Sequence, residues 1–186
     1  MRIIGGTQKR TIIPSPPGDA TRPTMDQLRE SIFTIIDQTI EISGATILDL
    51  YAGSGILTWE ALSRGAARAV MIDTSAEICR HLRDVASQLG RSDDVEIIRT
   101  DALAAIGNMQ LPTVQCLFAD PPYARKDGNR LMHLLNASDV IQPGGLAIIE
   151  HGDQEFILPS SSFQPLWQGA RGPSIVEIFR RIDLNA

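Results

Sequence analysis

Between residues 46 and 150 the chain alternates short apolar runs with longer stretches whose apolar residues recur every three or four positions. The runs TILDLY (46–51), AVMID (69–73), VEIIRT (95–100), VQCLFA (114–119) and GLAIIE (145–150, after a QPGG turn) predict five strands. Their near-continuous apolarity suits strands covered on both faces. Helices are predicted over 56–65, 75–90, 101–109 and 128–137, with Gly65 and Gly90 as stops, the latter of left-handed type. Two further strands are expected near 154–158 and 175–182. Upstream, Leu28, Ile32, Ile35, Ile36 and Ile40 predict a helix over 25–40 with Thr24 as its N-cap. Residues 1–24, rich in Pro, Gly and Thr, predict an irregular or hairpin-like segment in which RIIGG and RTII form short strands. Strand–helix alternation of this kind builds an α/β fold with a mostly parallel sheet between helix layers.

At 186 residues, 43% hydrophobic and 21% charged, the chain fits one globular domain with a substantial core. No apolar run is long enough to span a membrane, and no secretory signal is visible, so the expected location is cytoplasmic and the expected state a monomer. Cys79 and Cys116 are far apart and read as buried thiols, and no zinc spacing occurs. The net charge of −5 is not that of a typical nucleic-acid binder. Residues 1–30, however, carry five basic side chains against three acidic ones, which reads from charge alone as an ordinary solvated surface and otherwise as a local phosphate-binding surface on an acidic body.

In a parallel sheet, ligands bind beyond the carboxyl ends of the strands, which singles out four places. In DLYAGSG (49–55), a strand turns through glycines into a helix, so a ligand can approach backbone N–H groups at Gly53, Ser54 and Gly55. Thr58 stands where a dinucleotide site needs a third small residue, which weakens an NAD reading. A cofactor with an amino-acid end and a nucleoside end fits, with Asp49 accepting from the ammonium. Asp73, ending the next strand, can accept from two ribose hydroxyls or cap the following helix. Asp101, with Ala102, can receive the adenine amine or act as an N-cap. Asp120, Pro121, Pro122 and Tyr123 form DPPY. Two prolines stiffen this turn, Asp120 and the Pro121 carbonyl can accept from an exocyclic amine, and Tyr123 can stack on a base.

Taken together, DLYAGSG, Asp73, Asp101 and DPPY resemble class I S-adenosylmethionine methyltransferases that act on amino groups. RIIGG (2–6), RPT (22–24), LRESIF (28–33) and EALSRGA (60–66) are similar to the RsmD-type enzymes of bacteria. The resemblance implies a three-layer Rossmann-like fold with a seven-stranded sheet. An N-terminal extension over 1–40 would be packed on a methyltransferase domain over 41–186. It also implies transfer to the N2 amine of a guanine in 16S ribosomal RNA, within a small-subunit particle or assembly intermediate. By matching position, Asp49, Tyr51, Gly53, Ser54, Gly55, Asp73, Asp101 and Ala102 would bind S-adenosylmethionine. Residues 120–123 would hold the base. Arg2, Lys9, Arg10, Arg22 and Thr24 would face RNA or organise the active-site edge, and no metal is implied. This chain departs from the family at Thr58, at Asp73 (often Glu), at the reduced basic patch Lys9–Arg10, and at GPSIVEIF, to which no function is assigned. Three alternatives remain. DPPY also occurs in adenine-N6 methyltransferases. A nicotinamide oxidoreductase would need an acid–base residue, and among the histidines only His151 follows a strand, where a surface position is expected. A non-catalytic RNA-binding or ribosome-assembly module would not need DPPY.

Overall fold

A computed structural model describes residues 1–16, 25–158 and 160–183. Among the described residues thirteen regular elements follow one another, five helices, seven strands and one 3₁₀ turn. They are α1 (Met25–Thr39), β1 (Thr46–Leu50), α2 (Ile56–Ser63), β2 (Arg68–Asp73), α3 (Ala76–Leu89), β3 (Val95–Arg99), α4 (Ala102–Asn108), β4 (Val114–Ala119), the 3₁₀ turn Tyr123–Arg125, α5 (Gly128–Asn136), β5 (Ile141–Gly152), β6 (Phe163–Arg171) and β7 (Ser174–Arg181). All seven strands form one sheet in the order β3-β2-β1-β4-β5-β7-β6. The first five are parallel, and β7 and β6 are added as an antiparallel hairpin.

Alternation along the strands divides the core in two. Ile47, Met71, Cys116, Phe118 and Ile148 pack with Phe33 and Ile36 of α1, Trp59 and Leu62 of α2, and Leu82 of α3. Leu48, Leu50, Ile72, Leu117 and Ile149 pack on the other face with Leu103 of α4 and Leu131 and Leu135 of α5. This makes a three-layer α/β sandwich. Helix ends follow local chemistry. Ser75, rather than Asp73, caps α3 by accepting from the Ile78 N–H, and Gly90, at φ 66°, ends it in the left-handed conformation, as the sequence predicts.

Two strand expectations are corrected. The segment 154–158 is not a strand, and the sixth strand is β6 (Phe163–Arg171) instead. QPGG lies inside β5, as an irregularity in its pairing with β4, rather than in a turn before the strand. In both cases the extent of the strand is set by which neighbours pair with it, a long-range property. At the N-terminus, Arg2 bridges Ile12 in antiparallel sense, and the Ile3, Arg10 and Ile13 amides bond to Thr11, Ile3 and Met1 carbonyls. This short turn docks on the end of α2: the Thr7 amide donates to the Ser63 carbonyl, and the Ser63 hydroxyl donates to the Gly5 carbonyl. Gly6 permits that contact, since it has φ 74° and a Cβ there would fall 1.9 Å from the Ser63 oxygen.

Candidate functional site

The sheet order reverses direction between β1 and β4, so their carboxyl ends bracket a crevice where ligands of open α/β sheets bind. A cleft of about 230 Å³ opens there. Asp49, Tyr51, Gly53 and Ser54 line it from the β1 side and Asp120 from the β4 side, with Arg29, Phe118 and Glu150 among the other walls. Five of the residues singled out in the sequence therefore meet in one cavity.

On the β1 side the chain turns sharply. Tyr51 has φ 58°, and the Gly55 amide closes the turn by donating to the Ala52 carbonyl at 2.7 Å. Gly55 has φ 69°, and a Cβ would sit 2.4 Å from the Met71 methyl, so side chains are excluded on two counts. Asp49 is buried and accepts the Thr58 hydroxyl at 2.6 Å. Burial pushes its carboxyl up to about 7, with the Thr58 bond opposing and the nearby Asp73 charge adding to the shift. Thr58 itself is fully buried. The departure from a glycine pattern thus supplies a hydrogen-bond donor to the acid in the cleft. Asp73 ties this turn to β2, accepting the Gly53 amide at 3.2 Å and the Ser75 amide at 2.8 Å.

Asp101 lies outside the cleft lining and does cap α4, accepting the Leu103 and Ala104 amides at 3.0 and 3.1 Å. It also pairs with Arg125 at 3.0 Å. Partial burial pushes its carboxyl up, but the Ala104 amide, Arg125 and the Leu103 amide outweigh this and hold it below the usual carboxylate range. Arg125 also contacts Asp127 at 2.7 Å, and Asp127 accepts the Tyr51 hydroxyl at 3.0 Å. One arginine therefore links the turn after β3, the turn after β4 and the glycine turn. Ala102 is buried at the start of α4.

Past β4, Pro121 is buried, Pro122 is exposed and Tyr123 begins the 3₁₀ turn. The Tyr123 hydroxyl donates to Glu150 at 2.8 Å, and its ring rests against Gly152, where a Cβ would lie 3.4 Å from the ring. Burial first, and then the Glu150 carboxylate, push this hydroxyl up, so it stays a donor. Ser174 donates to the same Glu150 oxygen.

Arg2, Lys9 and Arg10 line a surface hollow shared with Asp26 and Glu30, and Arg2 pairs with Asp26 at 3.3 Å. Arg22 and Thr24 lie outside the described residues. Beneath the hollow, buried Arg29 donates to the Arg2 carbonyl and to Asp26, and fully buried Glu60 accepts the Ile4 amide at 2.7 Å. His151, expected at the surface, is buried, with ring nitrogens 3.0 Å from the Gly152 carbonyl and from Glu177. The antiparallel β7 covers it, which a parallel-strand reading does not anticipate.

Sequence reasoning missed Arg29, Glu60, Arg125, Asp127, Glu150 and Ser174. Each is an ordinary polar residue on its own element, and its partners lie across the fold. Glu150 alone had a usable signal, as an acid at the carboxyl end of a buried strand.

Residues 1–180 match the family described as Conserved hypothetical protein 95. A Bacillus subtilis protein, YlbH, provisionally named an rRNA methyltransferase, is 31% identical over 87% of this chain and 87% of its own. The ribosomal RNA small subunit methyltransferase D of Escherichia coli K12 is 30% identical over 81% of this chain and 74% of its own. Among solved structures, E. coli YhhF, provisionally named a methyltransferase, superimposes with a TM-score of 0.85 at 25% identity over 98% of each chain. A Salinibacter ruber RNA methyltransferase in complex with S-adenosyl-L-homocysteine shares the fold, with a TM-score of 0.63 at 15% identity over 89% of this chain and 95% of that one.

Proposed function

The chain belongs to the Conserved hypothetical protein 95 family, the RsmD-type class I methyltransferases, and on that premise we propose that it methylates the N2 amine of a guanine in 16S ribosomal RNA. The observation that carries the reading is the meeting of Asp49, the glycine turn and Asp120 in one cleft. S-adenosylmethionine supplies an electrophilic methyl group on a sulfonium. The residues present fit it: Asp49 is a buried acid with a single described donor, suited to an ammonium, and the wall near Phe118 is apolar. In this reading Asp73, which accepts the Gly53 amide, would take the ribose, and Asp101 with Ala102, beyond the cleft lining, the adenine end.

An exocyclic base amine is a weak nucleophile because its lone pair is delocalised into the ring. The Asp120 carboxylate and the Pro121 carbonyl accept its two N–H groups, aim the lone pair along the cleft and stabilise the positive charge that develops on nitrogen. The amine would take the methyl group from the sulfonium, and the proton it releases would go to solvent or to the Asp120 carboxylate. Holding both partners in line removes a bimolecular entropy cost. Arg2, Lys9 and Arg10, which share one surface hollow, would meet RNA phosphates, and the resemblance assigns Arg22 and Thr24 the same task. The acidic body favours a substrate presented within a small-subunit particle over bare RNA.

The test incubates the protein with labelled S-adenosylmethionine and, separately, undermethylated small subunits, free 16S RNA and DNA, then identifies the methylated nucleoside. N2-methylguanosine from the ribosomal substrates is the expected product. N6-methyladenine would retain the DPPY chemistry and overturn the guanine assignment. No transfer, with no cofactor binding, would overturn the enzyme.

A further inference from the structure

The carboxyl edge of β4 and β5 holds a second acid beside Asp120 to which the reaction above gives no task. Ala119, the last residue of β4, pairs with Ile149 of β5, so Asp120, just past the end of β4, and Glu150 are the next residues along two parallel strands. Both line the cleft. Glu150 is held from two directions, by the Tyr123 hydroxyl of the DPPY turn and by the Ser174 hydroxyl at the start of β7. Both bonds fall on Oε1, and Oε2 takes part in neither. Two donors on one oxygen fix a flexible side chain without using its other acceptor. Ser174 comes from the GPSIVEIF segment, so the part of the chain that departs from its family helps to fix this acid.

We propose that Glu150 is the residue that selects guanine, its Oε2 accepting the N1–H of the target base while Asp120 holds the adjacent N2 amine. The inference rests on the guanine-N2 reading and deepens it. Guanine presents two neighbouring donors on its Watson–Crick edge, N1–H and the N2 amine, and two adjacent carboxylates match that pair. Adenine presents an acceptor at N1 beside its N6 amine, so the same carboxylate repels it. A site built to bond a substrate N–H rejects an analogue that lacks it, because its own buried polar group is then left unpaired. Asp120 and Pro121 alone do not discriminate, since any exocyclic amine satisfies them. The Tyr123–Glu150 bond also couples the stacking ring to the edge-reading acid, so one hydroxyl sets both positions.

The experiment first locates the nucleotide methylated by the wild-type protein. It then compares small subunits reconstituted with guanine or 2-aminopurine at that position. The analogue keeps the N2 amine and turns N1 into an acceptor. Glu150→Gln is expected to lower kcat/KM on guanine by about 10- to 100-fold, the loss of one charge-assisted hydrogen bond. It should also narrow the guanine-to-analogue ratio at least tenfold, because the new amide can donate to N1. Cofactor affinity and thermal midpoint should stay at wild-type values. An unchanged ratio, whatever happens to the overall rate, would overturn the proposal while N2-methylguanosine from the wild type keeps the guanine reading intact. If the wild-type product is N6-methyladenine, reading and inference fall together. Should Glu150→Gln not fold, Tyr123→Phe keeps the ring and removes one donor to Oε1. It is expected to narrow the ratio about threefold, and no change there overturns the proposal equally.

Discussion

The two ends of the cleft are built at different ranges of sequence. At the β1 end, Asp49 is served by Thr58, nine residues away, and Gly53 by Asp73, twenty away. At the β4 end, Tyr123 reaches Glu150 across 27 residues, and Ser174 reaches it across 24 more. The first end is one strand–turn–helix unit with the next strand beside it. The second exists only after β4, β5 and the antiparallel β7 have assembled. Acids at two neighbouring strand ends also differ in their charge. Asp49 is buried with one described donor, and its carboxyl is raised to about 7. Asp101, at the neighbouring turn after β3, is partly exposed, has three donors and is lowered. Acids at neighbouring strand ends thus take opposite protonation behaviour from burial, donor count and the nearest charge, Asp73 for one and Arg125 for the other.

If the two ends have separate tasks, substitutions should separate turnover from cofactor affinity. The largest effect is expected from Asp120→Ala, which should lower kcat by about 10²- to 10³-fold, the loss of one group that stabilises developing charge. Calorimetry should meanwhile find cofactor affinity near wild type, and an equal loss in both would break the division. Next, Gly152→Val crowds the Tyr123 ring and should lower turnover about 10- to 100-fold through misplacement of the base. A single-turnover assay at saturating cofactor reads this directly.

Asp49→Asn acts at the other end and should weaken cofactor binding about 10- to 100-fold with a smaller effect on chemistry. Its pH signature is sharper than its size. An ammonium binds the ionised carboxylate, so wild-type affinity should rise with pH through about 7 and fall again near 8 as the ligand amine deprotonates. The free protein shows the opposite sign. Its Asp49 keeps a proton that the unfolded chain releases near 3.8, so this contribution to stability is full below that pH and is lost as pH rises to about 7. Asparagine should abolish both slopes, as titration calorimetry and chemical denaturation at several pH values can check.

The smallest effect is expected from Thr58→Ala, which removes the described donor to Asp49 and should cost about 1–3 kcal/mol of stability. Because the Thr58 bond lowers the Asp49 carboxyl, its loss should move the inflection in cofactor affinity to higher pH. An inflection that stays in place would show that burial by itself sets the proton on Asp49.

Much of this was legible along the chain because it depends on neighbours in sequence. The apolar runs gave β1 to β4 within a residue or two: β1, β2 and β4 are buried on both faces and have few polar positions to disguise them, while β3, at the sheet edge, is only partly buried. Asp101 was read both as a cap and as a cofactor acid, and the cap is in place because Leu103 and Ala104 are adjacent to it. The sixth strand and the QPGG register were misread, because edge pairing and β-irregularities depend on distant partners. Thr58 illustrates the boundary. Its position in the chain marked it as a departure, but its role as donor to Asp49 follows from the helix geometry that turns it back toward β1.

By itself the sequence determined the strand–helix alternation, the glycine turn after β1 and the stiff turn after β4. Local chain stereochemistry and apolar periodicity act over a few residues and need no long-range partner. Tertiary structure alone decided that Asp49 is raised while Asp101 is lowered, that Arg125 joins three turns, and that Glu150 stands beside Asp120 with one oxygen tied by Tyr123 and Ser174. Desolvation and hydrogen-bond geometry are properties of what surrounds a group in space, and sheet order sets those surroundings only when the strands have come together.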